Sequence, residues 1–328
     1  WPGNGNAASI VPLGDDDLLM PLDDQPWASS LSDATRVVAE DSDGELVGVP
    51  VTVVAIGAIW NDQALAAAGL TAPTTWSEVL SYCTAAKAAG KIPFALGLKS
   101  AWVTQLVPYA LTASLVYGAD PDFTQQQKDG KATFSDSAWN EAEQKYLELR
   151  DAGCFNDSPN GVGYDEQMTM LGRGDALGAV HLTSASANAV QYAPEGTTFS
   201  MTPFPATDDV TEQYLPVSVG IVYAANKKAK NPELAQKFLD FLASSEGQAV
   251  YATAAGAAPA TPSKDFEADG VLAPIAVAQE AGTDRPFPDV AWPNPKVQQE
   301  HLTGIQELFA GTIDVPELLK RMDTAFTN

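Results

Sequence analysis

Trp60-Asn61-Asp62-Gln63 opens, and Ala68-Gly69-Leu70-Thr71-Ala72-Pro73-Thr74-Thr75-Trp76-Ser77-Glu78 closes, the most readable stretch of this 328-residue chain. A short amphipathic segment stops at Gly69. Pro73 then forces an extended turn, because its ring fixes φ and crowds the preceding residue. Thr75 caps a new helix, and Glu78 three places on completes a capping box. Around this stretch lie short apolar runs rich in Val and Ile and bounded by turn residues. Gly48 to Ile59 and Leu215 to Ala225 are the clearest, and both read as strands buried on both faces. Helices alternating with such strands indicate α/β layering.

Four further helices are announced by their caps. Ser135-Asp136-Ser137 precedes the apolar stripe Trp139, Ala142, Tyr146 and Leu149, which ends at Gly153. Asn231-Pro232 places proline at the first helical position, with Leu234, Ala235, Phe238, Leu239 and Leu242 as the expected buried face. Asn294-Pro295 repeats the device ahead of Val297, Leu302, Ile305, Leu308 and Phe309, with Gly311 as the stop. Asp314-Val315-Pro316 begins a terminal helix carrying Leu318, Leu319, Met322 and Phe326.

The chain exceeds the length at which one core stays favourable, so two domains are expected. Forty-two acidic against 18 basic residues give a formal charge of -24, which repels polyanions and argues against nucleic acid or an anionic membrane surface as partner. No run approaches the length of a spanning helix, and no basic, apolar leader opens the sequence; either such a leader was removed or the protein is cytosolic. Cys83 and Cys154 are too few for a disulfide framework and lack metal-site spacing. Two inert buried thiols and one bridge are both open, because spacing does not show proximity.

The ordered string of aromatic-Asn-x-x-x-Leu, Ala-Gly-Leu and Pro-Thr-Thr-Trp-Ser-Glu resembles the maltose-binding-protein-like, family 1 solute-binding proteins of bacterial ABC sugar importers. The departures are Trp60 for the family's usual Tyr and Asp62 for its Lys. The resemblance covers nearly the whole chain and implies a periplasmic-binding-protein-like fold, with two α/β lobes joined by a hinge of extended crossing strands. The crossings fall near Val53 to Ile56, near Ser218 to Ile221 and around Gly282 to Asp289. The first lobe then holds residues 1–54 and 220–282, and the second 55–219 and 283–328. The family begins with a strand-helix-strand unit ahead of the segment that Trp1-Pro2-Gly3-Asn4 resembles, so that unit, with any signal or lipid anchor, is expected to be missing here. A first lobe lacking it would leave apolar surface uncovered. The implied function is capture of an oligosaccharide or disaccharide outside the cytoplasm, by a periplasmic or lipid-anchored monomer. Delivery would be to membrane permease subunits, with no cofactor and no metal.

A sugar is apolar on its C–H faces and ringed by hydroxyls, so its site calls for aromatic platforms with amide, carboxylate and backbone partners. Trp76 and Trp139 read as core, and Trp27 as a lobe-surface anchor. Trp1 stands at the junction Trp-Pro-Gly-Asn-Gly-Asn, where the glycines let backbone approach a guest and Asn4 and Asn6 offer donors and acceptors. A turn held by its own Asn side chains is the plainer alternative. The resemblance places a stacking aromatic at Trp102, with Gln105 one turn on and on the same side. Trp292 overlooks the cleft or belongs to a rigid surface turn between its prolines, and one of Gln298 and Gln299 points inward. The family's Gly-Asp/Glu-Ala-Ala-Met and Gly-x-Trp motif survives in part as Gly174-Asp175-Ala176-Leu177-Gly178, with Ser184 or a neighbour replacing the tryptophan. Thr183, Ser184 and Ser186 are donors there, or helix caps. Ser218 lies in the second crossing, where relatives bring backbone to ligand.

Two other readings stay in view. An acidic receptor for a polyamine or metal cation needs carboxylates in the cleft rather than tryptophans; the runs Asp15-Asp16-Asp17 and Asp23-Asp24 read as a solvated face. A glycoside hydrolase needs a carboxylate pair about 5 to 10 Å apart, and none is marked out by spacing. No nucleophile elbow, metalloprotease or phosphate-loop motif is present. His301 reads as a surface or boundary residue rather than a base.

Overall fold

One strand, β1 (Val49–Asn61), runs through two sheet regions and organises the molecule. The computed structural model describes residues 1–6 and 8–327. The other strands are β2 (Ile92–Phe94), β3 (Ala176–Leu182), β4 (Phe199–Thr202), β5 (Leu215–Tyr223), β6 (Ala258–Pro259) and β7 (Asp284–Arg285). Their order is β2-β3-β1-β5-β7, with β4 and β6 also paired to β1. The C-terminal half of β1 pairs antiparallel with β3, from Ile56 opposite Leu182 to Trp60 opposite Gly178. Its N-terminal half pairs antiparallel with β5, from Val49 opposite Tyr223 to Ala55 opposite Val217. The register slips between Pro50 and Val53, where proline lacks an N–H to give the ladder. β1 is enclosed at every residue but Val53, as its Val/Ile run predicts. β5 is not: beyond Val219 it opens toward solvent.

Apolar cores flank this ladder. The largest is built on the helices Trp76–Ala88, Leu106–Thr112, Trp139–Asp151, Pro295–Ala310 and Val315–Thr327. At its centre Trp139 meets Phe134 at 5.3 Å, Trp292 at 6.1 Å and the His301 ring at 5.5 Å between ring centres. Trp76 is buried as expected. His301 is not a surface residue: it is fully buried, and its Nε2 lies 2.9 Å from Glu143 Oε1. A small core gathers Leu22, Ala28, Leu46, Val51, Leu239 and Leu242. Between them, Ala258, Ile275 and Ala278 pack with Met168, Leu171 and Ala189.

Asn294 and Asp314 cap their helices as expected, Asn231 makes no side-chain cap bond, and the capping box at Thr75 is altered. Thr75 Oγ1 accepts from Glu78 N, but Glu78 Oε2 reaches past Thr75 to accept from the backbone and hydroxyl of Thr74. Asn61 caps the helix Asp62–Ala67 through Ala64 N and donates to the carbonyls of Leu171 and Gly172. Gly153 and Gly311 take the left-handed conformation that ends a helix. Cys83 and Cys154 form a disulfide, tying the helix Trp76–Ala88 to the turn after Trp139–Asp151.

The helix Pro232–Ala243 departs from its expected packing. Leu239 and Leu242 are buried, whereas Leu234, Phe238 and Phe241 are exposed, as is Val250 on the following helix Ser245–Ala255. The apolar stripe is there, but no element among the described residues covers its outer half. Trp27 does anchor this region, donating from Nε1 to Asp240 Oδ1 at 2.9 Å.

Candidate functional site

The middle of β1 and β5, where Thr52, Val54, Ile56, Val219 and Ile221 alternate outward, forms the floor of a cavity of about 250 Å³. The junction Trp1–Asn6, the turn Ala101–Gln105 and the segment from Phe287 into the helix Pro295–Ala310 supply its walls. Of the nine residues singled out from the sequence, Trp1, Asn6, Trp102, Gln105, Ser184 and Gln298 line it together.

Trp102 sits in the single turn Ala101–Val103, braced edge-on by His181 at 5.2 Å and tilted against Tyr164 at 5.1 Å. These contacts leave part of the indole facing the cavity. His181 is enclosed, and burial pushes its pKa down to about 3, so it is neutral and braces the indole without adding charge. Its Nδ1 accepts from Leu182 N. Trp1, on the opposite wall, is 58% exposed, which leaves its ring free to meet a guest.

A chain of amides links the walls. Asn6 Nδ2 donates to Gln298 Oε1 at 3.3 Å, and Gln298 Nε2 donates to Gln105 Oε1 at 3.1 Å and to Asp289 Oδ2 at 2.5 Å. Gln298 occupies the first turn of its helix and is nearly buried, while Gln299 faces solvent. In the sequence Asp289 marks only the edge of a crossing; the structure makes it a wall residue. Burial pushes its carboxyl up to about 6, against opposing hydrogen bonds from its own and Val290 N–H, from Gln298, and the nearby His301. Its Oδ1 has no partner. The signal available in the sequence was an acid set among Pro288, Val290 and Ala291, an apolar setting unlike that of most of the 42 acids.

Three expected site residues lie elsewhere. Trp292 is fully buried, its ring edge-on to Phe134 and Tyr109, so it is a core residue and offers no platform. Its flanking prolines shape a turn that docks into the large core instead of standing over the cleft. Asn4 donates its side-chain amide to Pro293 O at 2.7 Å. With Ser218, which pairs with Val54, it faces a second hollow on the other side of the strands. The glycines of the first junction serve this same docking: a Cβ on Gly3 would fall 2.3 Å from Val290 O, and one on Gly5 2.5 Å from Asp289 O. They admit protein backbone rather than a guest. Among the three hydroxyl candidates, Thr183 pairs with Ala55 and Ser186 donates to Thr183 O. Ser184 begins the helix Ala185–Ala189 without capping it and faces the cavity.

Residues 3–249 match the family described as bacterial extracellular solute-binding protein. Comparison with curated proteins finds no match. Among solved structures, a chitin oligosaccharide binding protein is similar at 21% identity and TM-score 0.80, over 99% of this chain and 81% of that one. A sugar transporter from Bacillus licheniformis in complex with stachyose is similar at 18% identity and TM-score 0.78, covering 98% and 82%. RafE in complex with raffinose is similar at 16% identity and TM-score 0.78, covering 96% and 81%. At these identities the likeness establishes the fold: two α/β lobes joined by extended strands.

Proposed function

We propose a function from one premise: the chain belongs to the bacterial extracellular solute-binding protein family, as the match over residues 3–249 shows. It binds a carbohydrate in the cavity over β1 and β5 and hands it to the membrane permease of an ABC importer. The observation that carries this reading is the wall itself. Two indoles, Trp1 and Trp102, face a linked set of amides, Asn6, Gln105 and Gln298, across an apolar floor. An indole offers a flat apolar surface to sugar C–H groups, and amides both donate and accept to hydroxyls. The stachyose and raffinose named with two of the similar structures are cargo of the same chemistry.

Closure is the mechanism. Trp1 belongs to the smaller body and Trp102 to the larger, so a guest touching both gains contacts only when the bodies approach, and those contacts shift the equilibrium toward the closed form. A guest on one wall alone would shift nothing. The lobes are residues 1–54 with the segment from 220, and 55–219 with the C-terminal helices. Because Ile275 and Ala278 share a core with Met168 and Leu171, the return to the larger body falls nearer 257 than 282. A polyamine is the second reading, favoured by Asp289 and the charge of -24. The test is titration calorimetry with raffinose, stachyose, diacetylchitobiose, xylobiose and spermidine. Saturable heat with a sugar supports the proposal; binding of spermidine alone would replace it.

A further inference from the structure

The cavity wall carries one acid, Asp289, and no lysine, arginine or histidine among the described residues. The rest of the lining is apolar or a neutral amide or hydroxyl. A carboxylate offers about four acceptor sites; beside the backbone N–H groups of Asp289 and Val290, one protein side chain donates to it, Gln298 Nε2. Asp289 Oδ1 is left without a partner, although the side chain as a whole keeps part of its surface open to the cavity. Gly5 leaves room for Asp289 on this wall, since a Cβ there would fall 2.7 Å from Asp289 Cβ.

We infer that Asp289 selects the guest: its carboxylate accepts hydroxyl protons from an uncharged sugar, and the same negative charge turns away sugars that carry an acid group. This rests on the sugar reading above. A buried acceptor with spare capacity is costly until a donor reaches it, and a sugar hydroxyl is such a donor. A uronic acid or sugar phosphate would instead bring a second negative charge to a wall with no cationic side chain to offset it.

The groups facing Asp289 do not supply that offset. From the helix Leu106–Thr112 comes the Tyr109 phenol, and from the turn after it Tyr117; burial holds both well above their usual range, so they are neutral. Behind them His301 is paired with Glu143. On the junction, the Trp1 amino group bonds to Ala8 O. Asp289, with its pKa near 6, is therefore the side chain on this wall that changes charge near neutrality. Only the ionised form is a full acceptor, so at pH 5, where about a tenth is ionised, apparent affinity falls about tenfold.

The experiment is titration calorimetry on the full chain and on Asp289→Asn, using raffinose, xylobiose and digalacturonate at pH 7.5 and pH 5. Expected for the wild type is binding of a neutral sugar, about tenfold weaker at pH 5, and no binding of digalacturonate. Asp289→Asn should bind the neutral sugar about 10- to 100-fold more weakly, lose the pH dependence and gain on digalacturonate relative to the neutral sugar. A neutral sugar held within twofold by the variant, a flat wild-type pH profile, or digalacturonate held as well as the neutral sugar would each overturn the inference and leave the sugar reading standing. Silence of both neutral sugars with the wild type counts against that reading and removes the inference with it. Should the variant not fold, the wild-type pH comparison decides.

Discussion

The helices Pro232–Ala243 and Pro295–Ala310 begin with the same Asn-Pro device and carry similar apolar stripes, yet end in opposite surroundings. The second buries Val297, His301, Ile305 and Leu308 inside an aromatic lattice, with the helix Val315–Thr327 laid along it. The first covers Leu239 and Leu242 and leaves Leu234, Phe238 and Phe241 in solvent. Local sequence determines where a helix starts and which face is apolar. How much of that face is covered depends on elements far along the chain. The two indoles of the cavity differ in the same way: Trp102 is braced by Tyr164 and His181, and Trp1 stands exposed.

The sharpest way to break that contrast is to cut matched rings from the two bodies. Trp139→Ala should cost about 3 to 5 kcal/mol in urea unfolding, because the ring is fully enclosed. Phe238→Ala should change stability by no more than about 0.5 kcal/mol. Equal losses would mean that the two bodies are packed alike. The disulfide is next in size. Replacing Cys83 and Cys154 by alanine opens a link spanning 71 residues and should cost about 2 to 5 kcal/mol. Hydrogen exchange should show that loss in the larger body and leave the helices Pro232–Ala243 and Ser245–Ala255 unchanged.

A smaller effect sharpens the comparison at the cleft. Trp102→Ala should weaken sugar binding about tenfold through lost stacking area, with the melting temperature little changed, as measured by calorimetry on both counts. The smallest concerns pH. Burial raises Asp289 in the folded chain from the ordinary 3.8 to about 6, so its contribution to stability is present below pH 4 and lost as pH rises through 6. Asp289→Asn should therefore raise the melting temperature at pH 7.5 by about 2 to 4 °C relative to wild type, and not at pH 4. A variant that loses affinity while gaining stability would mark a residue kept for binding.

Much of this was legible in the residues. Thr75, Asn294 and Gly311 act as the caps they appear to be, and Trp102, Gln105 and Gln298 meet in one cavity although Gln298 is nearly two hundred residues from the other two. An indole between prolines reads as an exposed turn, and only the packing of three distant helices shows Trp292 to be enclosed. Asn4 spends its amide on Pro293, a partner at the far end of the chain. His301 reads as a boundary position until Glu143, from another helix, is seen to satisfy it. Asp289 was hidden among many acids, since burial, which makes it unusual, is a property of the fold. The disulfide is in the same class: no spacing rule brings Cys83 to Cys154, but the docking of the helix Trp76–Ala88 against the turn after Trp139–Asp151 does.

In the proposed mechanism two bodies draw together over a sugar held between Trp1 and Trp102. Small-angle scattering of the chain with and without a saturating amount of the sugar found by calorimetry tests this directly. A smaller radius of gyration on binding, absent in Trp102→Ala at the same sugar concentration, is the predicted result. An unchanged radius at proven saturation would contradict it.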